Sequence, residues 1–256
     1  MPSLLHRLKY LIPNSFTAFS MLLGVASMYH STQGLYETAA WMIIWGVLLD
    51  KLDGTSARLL NASSDLGAEL DSFADFVSFG LAVAALMFFS LRDMSLVHPG
   101  WLVASCSVYV VAIAVRLARF NVATPALGKY IFYGIPTTAI GGILSLSYLT
   151  WQKYDLPEEW MAPMPVILLI SSFAMVSNIP LPKMKLTKNL PFNIFLISSV
   201  IYCYGLGVAQ KNPEIMLAFS SGLVLFGIIA YAIHPPTLSQ FEEEEEEEEA
   251  SHQPSY

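Results

Sequence analysis

From Asp50 to Asp75 the chain reads DKLDGTSARLLNASSDLGAELDSFAD. The stretch sets Asp50, Asp53, Asp71 and Asp75 beside or inside long apolar runs. There an ionised carboxylate is costly and marks a functional position by default. Asp50 and Asp53 are i, i+3 and Asp71 and Asp75 are i, i+4, so on helices each pair shares one face. Between them Asn61-Ala62-Ser63-Ser64 has the composition of a turn, and Ser64 or Asp65 can cap a second helix. An antiparallel hairpin closed by that turn brings Asp53 level with Asp71 and Asp50 level with Asp75. Both pairs then lie about 10 to 18 Å from the turn, at roughly 1.5 Å of rise per residue. Four carboxylates around one point, with only Arg58 near to offset them, call for one or two divalent cations. Hard oxygen ligands favour Mg2+, Mn2+ or Ca2+ over zinc. The plainer alternative, four solvated loop acids beyond the membrane edge, does not account for their matched depth.

Working outward, the chain has 256 residues, of which 55% are hydrophobic and only 13% charged, and its apolar runs reach membrane-spanning length. These properties predict an all-α, polytopic transmembrane helix bundle of about eight spans and exclude a soluble domain. The first span runs to about Tyr29, and the others lie near 36 to 60, 65 to 90, 100 to 121, 133 to 151, 160 to 178, 191 to 208 and 214 to 233. The second is the least obvious by hydropathy, because its last third carries Asp50 and Asp53. The run that follows His6-Arg7-Leu8-Lys9 superficially resembles a signal peptide but has no convincing small-residue cleavage site, so it is kept as a span. Pro13 is expected in its first turn, with Thr17 bonded to backbone. No internal repeat and no strand alternation is visible.

The formal charge of −7 is misleading, since Glu242 to Glu249 form a run of eight glutamates. Residues 1–240 are expected to form the transmembrane domain and 241–256 a disordered, self-repelling acidic tail. Cys106 and Cys203 lie in apolar segments without metal-ligand spacing and read as core residues. If the N-terminus is cytoplasmic, that side receives Arg7, Lys9, Lys51, Arg58, Arg116, Arg119, Lys129, Lys183, Lys185 and Lys188, leaving only Arg92, Lys153 and Lys211 on the other. The asymmetry predicts both termini and the Asp cluster on the cytoplasmic face of the cell inner membrane.

The spacing Asp50-x2-Asp53-Gly54-x2-Ala57-Arg58-x8-Gly67-x3-Asp71-x3-Asp75 resembles the signature of the CDP-alcohol phosphatidyltransferase family, with no departure. The resemblance implies transfer of a phosphatidyl group from a CDP-linked lipid to an alcohol, with release of CMP. It implies that Asp50, Asp53, Asp71 and Asp75 hold Mg2+ or Mn2+, two ions in all, and that Asp75 is the base, with Asp71 also catalytic. Gly54, Ala57, Arg58 and Gly67 would contact the CDP moiety. Pro13-Asn14-x2-Thr17 resembles the segment that opens many members and would put Asn14 and Thr17 beside the nucleotide. On residue type alone, helix packing explains the small residues at 54, 57 and 67 equally well. A homodimer is also implied, while the lipid bilayer is the expected environment and no nucleic-acid partner is expected.

Leu66 to Gly80 and Arg116-Leu117-Ala118-Arg119-Phe120-Asn121 resemble the corresponding stretches of membrane-integral phosphatidylserine synthases, which implies CDP-diacylglycerol and L-serine as substrates. Arg116, Arg119 and Asn121 become the expected acceptor contacts, since an arginine pair can grip a carboxylate through parallel hydrogen bonds; a basic collar at anionic headgroups is the plainer reading. One departure is Gly134-Ile135-Pro136-Thr137-Thr138-Ala139, where a second proline is expected after the first. Two alternatives stay open. The acceptor could be glycerol phosphate or an inositol phosphate, and a cation transporter also buries acids, though it would not need Gly, Ala and Arg at these gaps.

Overall fold

The hairpin expected around the four carboxylates is present in the computed structural model, which describes residues 4–62, 64–123, 131–178, 180–182 and 190–233. Helix α2 (Tyr36–Leu59) ends where the Leu60 N–H reaches back to the Ser56 carbonyl and Asn61 turns left-handed at φ 46°, a region asparagine tolerates better than most residues. Ser64 then adopts an extended backbone, and its Oγ accepts from the Gly67 N–H at 3.1 Å. That bond satisfies one of the unpaired donors at the start of the next helix. Helix α3 runs from Asp65 to Met94, with a π-helical turn at Phe76–Leu81.

The remaining helices are α1 (Leu4–Thr32), α4 (Pro99–Ala123), α5 (Thr137–Lys153), α6 (Met164–Val176), α7 (Leu190–Ala209) and α8 (Pro213–Ile233). These eight helices, counted among the described residues, coincide with the eight expected spans to within several residues at each end. Among the described residues, four segments are long and apolar enough to cross a bilayer unaided: Lys9–Thr32, Asp65–Met94, Pro99–Val122 and Glu158–Val176. The protein is an integral membrane protein. Lys129, Lys183, Lys185, Lys188 and the acidic tail lie outside the described residues.

Two local expectations are corrected. Pro13 lies inside α1 instead of in its first turn, because the helix already begins at Leu4. A proline interrupts one backbone bond of a helix without ending it when neighbouring groups hold the strand of chain in place. Here Ser15 Oγ donates to the Leu11 carbonyl at 2.6 Å, and Thr17 Oγ1, whose proton goes to Asp53, lies 3.2 Å from the Pro13 carbonyl. Secondly, the fifth helix begins at Thr137, not near residue 133. Ile131–Tyr133 (β1) instead pairs antiparallel with Pro180–Pro182 (β2), Phe132 opposite Leu181. Three residues are too few for any alternation to be read from sequence, and the prolines argue against a strand.

Helix α3 sits centrally, touching α1, α2, α4 and α5, while α1 packs along α2, α4 along α6 and α5 along α8. Ile43, Ile44, Phe79, Leu86, Met87, Tyr109, Ile113 and Leu144 are fully buried between them. The crossing of α1 and α3 is close: a Cβ added to Gly24 would lie 2.9 Å from Ser78 Cα. Small residues permit such an approach. Outside, Leu22, Val111, Ile170, Phe173 and Ile201 are exposed, which suits contact with lipid chains. The π turn is held from two sides. Ser78 Oγ donates to the Ser20 carbonyl at 2.8 Å, and the buried Tyr109 hydroxyl donates to the Phe79 carbonyl at 2.9 Å.

Candidate active site

The hairpin brings the acids together as their spacing requires. One carboxylate oxygen from each of Asp50, Asp53 and Asp71 lies within 4.8 Å of the other two, and Asp75 is within side-chain hydrogen-bonding reach of Asp50. Asp53 and Asp75 are only 6% and 9% exposed. Each receives one hydroxyl: Thr17 Oγ1 donates to Asp53 Oδ2 and Thr137 Oγ1 to Asp75 Oδ2, both at 2.9 Å. Lys51, the cation paired with Asp50, stands 3.7 Å from it with a side chain 63% exposed. Two like charges about 4 Å apart repel by roughly 4 kcal/mol at an effective dielectric constant near 20. Two hydroxyls, the solvated Lys51, Arg58 at the cleft and Arg116 behind Thr137 supply three positive charges to four carboxylates, and among the described residues none of the three pairs directly with Asp53, Asp71 or Asp75. The all-oxygen donor set therefore fits divalent magnesium, manganese or calcium.

Beside the acids opens a cleft of about 240 Å³. Asn14, Thr17, Gly54, Ala57, Arg58 and Gly67 all line it, together with Asp53 and Asp71. The small residues have different reasons to be small. A Cβ on Gly54 would meet only Arg58 Nη1, at 3.9 Å, so close helix packing does not explain that glycine; the space in front of it belongs to the cleft. A Cβ on Gly67 would lie 3.1 Å from Ser64 Oγ and 3.3 Å from Asn14 Oδ1, pressing on the helix cap and on the cleft wall together.

The second group of expected site residues is not brought to one point. Arg116 Nη1 lies 3.4 Å from Thr137 Oγ1, which in turn holds Asp75. Arg119 points elsewhere, donating from Nη1 to the Val176 carbonyl at 2.6 Å and from Nη2 to Asn178 Oδ1 at 2.8 Å. Both hydrogen-bonding ends of its guanidinium thus tie α4 to the end of α6. Asn121 turns toward α3, accepting from Ser72 Oγ at 3.2 Å and donating to Glu69 Oε2 at 3.3 Å. The expected arginine pair is one arginine at the acids and one brace.

The sequence model of the CDP-alcohol phosphatidyltransferase family matches residues 10–226. The chain belongs to this family. It is similar to the CDP-diacylglycerol–serine O-phosphatidyltransferase of Helicobacter pylori strain J99, 33% identical over 223 residues that cover 87% of this chain and 91% of that protein. It is also similar to the proteins of that name from Mycobacterium tuberculosis strain H37Rv (30% over 234 residues, 88% and 77%) and Bacillus subtilis strain 168 (33% over 178 residues, 68% and 91%).

Two groups beside this phosphatidyltransferase motif escaped the reading of the sequence. Thr137 lies in the segment noted only for its missing proline, and its hydroxyl had no signal of its own. Lys9 Nζ donates to the Asn61 carbonyl at 3.0 Å, fastening α1 to the hairpin turn. Sequence separation hides that contact, since the lysine reads as a topology charge.

Proposed function

We propose that the protein transfers the phosphatidyl group of CDP-diacylglycerol to the hydroxyl of L-serine, releasing CMP, at a divalent-cation site on the cytoplasmic face of the cell inner membrane. The observation that carries this reading is the convergence of the motif carboxylates beside a cleft walled by Gly54, Ala57, Gly67 and Arg58, in a chain whose relatives are named for transfer to serine. A homodimer agrees with the family resemblance.

Asp50, Asp53, Asp71 and Asp75 would hold Mg2+ or Mn2+, which when bound stabilises charge on the transferring phosphoryl oxygens. The cleft residues Asn14, Thr17, Gly54, Ala57 and Gly67 admit the cytidine diphosphate, and Arg58 at the cleft offsets phosphate charge. Arg116 holds the serine carboxylate and leaves the serine hydroxyl toward Asp75. Asp75 takes the hydroxyl proton as the oxygen attacks the phosphorus that carries diacylglycerol. The bond from that phosphorus to the CMP oxygen breaks, and CMP leaves with the electron pair. Such a transfer depends on positioning and electrostatics more than on covalent help from the protein.

The acceptor is tested by CMP release from CDP-diacylglycerol with serine, glycerol 3-phosphate and inositol phosphate in parallel. Serine is expected to be used and the phosphates not, because a site that hydrogen-bonds the groups of one alcohol rejects those lacking them. Release with a phosphate alcohol and none with serine would overturn the acceptor while leaving the reaction class. Arg116→Lys is expected to raise the serine KM about 10- to 100-fold and change that for the CDP lipid little, since lysine keeps the charge and loses the planar fork.

Orientation is tested by single cysteines placed near each end and labelled from either side of intact cells. Reagent reaching the tail only from outside contradicts a cytoplasmic site. A chain ending at Gln240 is expected to keep the full rate, because no motif position lies beyond it; a well-inserted but inactive truncation contradicts this.

A further inference from the structure

We propose that Thr137 is a positioning residue for the acceptor half of the site: its hydroxyl links the Asp75 carboxylate to the Arg116 guanidinium and keeps the two apart at a working distance. The proposal rests on the assignment of Asp75 and Arg116 given above.

Thr137 is 1% exposed and stands at the first turn of α5. Its Oγ1 donates to Asp75 Oδ2 at 2.9 Å and receives Arg116 Nη1 at 3.4 Å. One hydroxyl can do both, having one proton and two lone pairs. Three helices, α3, α4 and α5, are joined through this atom. Some buried hydroxyls of the chain, those of Ser31, Ser90 and Ser172, return to the carbonyl four residues earlier in their own helix, while those of Ser27 and Ser78 cross to a neighbouring helix. Thr137 has no helical turn before it to bond, so its hydroxyl is available across the bundle.

What the hydroxyl prevents matters as much as what it makes. No ion pair joins Arg116 to Asp75 among the described residues; the threonine stands between them. A direct pair would bind the base to the arginine and leave neither for the acceptor. With Nη1 turned to Thr137, the buried Nε of Arg116 has no partner, and Nε with Nη2 forms the edge that grips a carboxylate through two parallel bonds. The acceptor's two functional groups are thus given separate partners held at a fixed spacing.

Thr137 is itself fixed by its approach. Gly134 adopts φ 77° against Met175, the Ile135 N–H donates to the Ala174 carbonyl at 3.3 Å, and Arg119 holds the carbonyl of Val176. The loop before α5 and the end of α6 form one clamp, and Thr137 is its product.

The test uses the purified full chain with Mn2+, CDP-diacylglycerol and L-serine, comparing Thr137→Val, Thr137→Ala and Thr137→Ser. Valine keeps the shape and removes the hydroxyl. Valine and alanine are expected to lower kcat/KM for serine about 100-fold, as a misplaced reacting group does. The KM for CDP-diacylglycerol and calorimetric affinity for CDP should stay within about twofold, and Thr137→Ser should keep activity to within about threefold of wild type. Normal serine kinetics in the alanine variant overturn the proposal, and so does an equal loss of CDP affinity or a failure of Thr137→Ser to retain activity. If wild-type protein uses glycerol 3-phosphate and not serine, the acceptor assignment falls; the same variants measured on that alcohol then decide the role of Thr137 separately.

Discussion

Asp71→Asn is expected to lower CMP release at least about 10³-fold while leaving a folded, membrane-inserted protein. Each tenfold in rate corresponds to about 1.4 kcal/mol of barrier, and a metal's stabilisation of phosphoryl charge is worth several kcal/mol. The amide keeps the shape of the side chain and removes one of the three carboxylates whose oxygens converge within 4.8 Å. Asp53→Asn carries the same expectation. The fold should not suffer, because either change removes a like charge from a crowded cluster. Without metal the variants are therefore expected to melt at or above the wild-type temperature. Adding Mn2+ should raise the melting temperature of the wild type and of neither variant, as binding to the native state alone requires. Full turnover in excess EDTA would defeat the metal reading outright.

Gly134→Ala is expected to be the most destabilising single methyl addition in the described chain. At φ 77° alanine meets the penalty of a left-handed backbone, about 1 to 2 kcal/mol. The added Cβ would also lie 2.1 Å from the Met175 carbonyl oxygen and 2.9 Å from its carbon. Backbone atoms cannot rotate aside as a side chain can, so the loop and the end of α6 must separate. We expect about 3 kcal/mol or more in total, in line with strain and overpacking elsewhere. Thermal melting in detergent against wild type is the measurement. Gly205→Ala, at a helical glycine where an added Cβ meets nothing within 4 Å, is the control and should be close to neutral.

The acidic motif was legible because helical geometry is local. A spacing of three or four residues fixes a face, and a short turn fixes which faces meet, so the convergence of Asp50, Asp53 and Asp71 follows from counting. Eight apolar runs likewise announce eight helices. The fate of Arg119 was not legible. Whether its guanidinium meets a ligand or the Val176 carbonyl depends on how α4 packs against α6, and nothing in Arg116 to Asn121 encodes that contact. The placement of Thr137 has the same character. It depends on the ribbon of Ile131–Tyr133 with Pro180–Pro182, two segments too short to carry a pattern. Pro13 failed for a different reason: proline marks the first turn of an isolated helix well, whereas in a bundle neighbouring hydroxyls and helices carry the chain past it.

The π turn at Phe76–Leu81 marks the place where the length of α3, as distinct from its composition, can vary. A π turn holds one residue more than the α-helix it interrupts. Deleting any one residue there would let α3 wind as an ordinary helix, which by local bonding alone is an improvement. The residues before and after the deletion would keep nearly their present phase, because the π turn absorbs its extra residue within itself. Asp71 and Asp75 would still face Asp50 while Leu86 and Leu91 kept their seats in the core, whereas a deletion between the acids and the core in ordinary α-helix would turn one set from the other by about 100°. A one-residue gap is thus open to selection in this turn, where it would cost the local contacts of Ser78 and Phe79, and closed to it along the rest of the helix, where the acids and the core hold one phase between them.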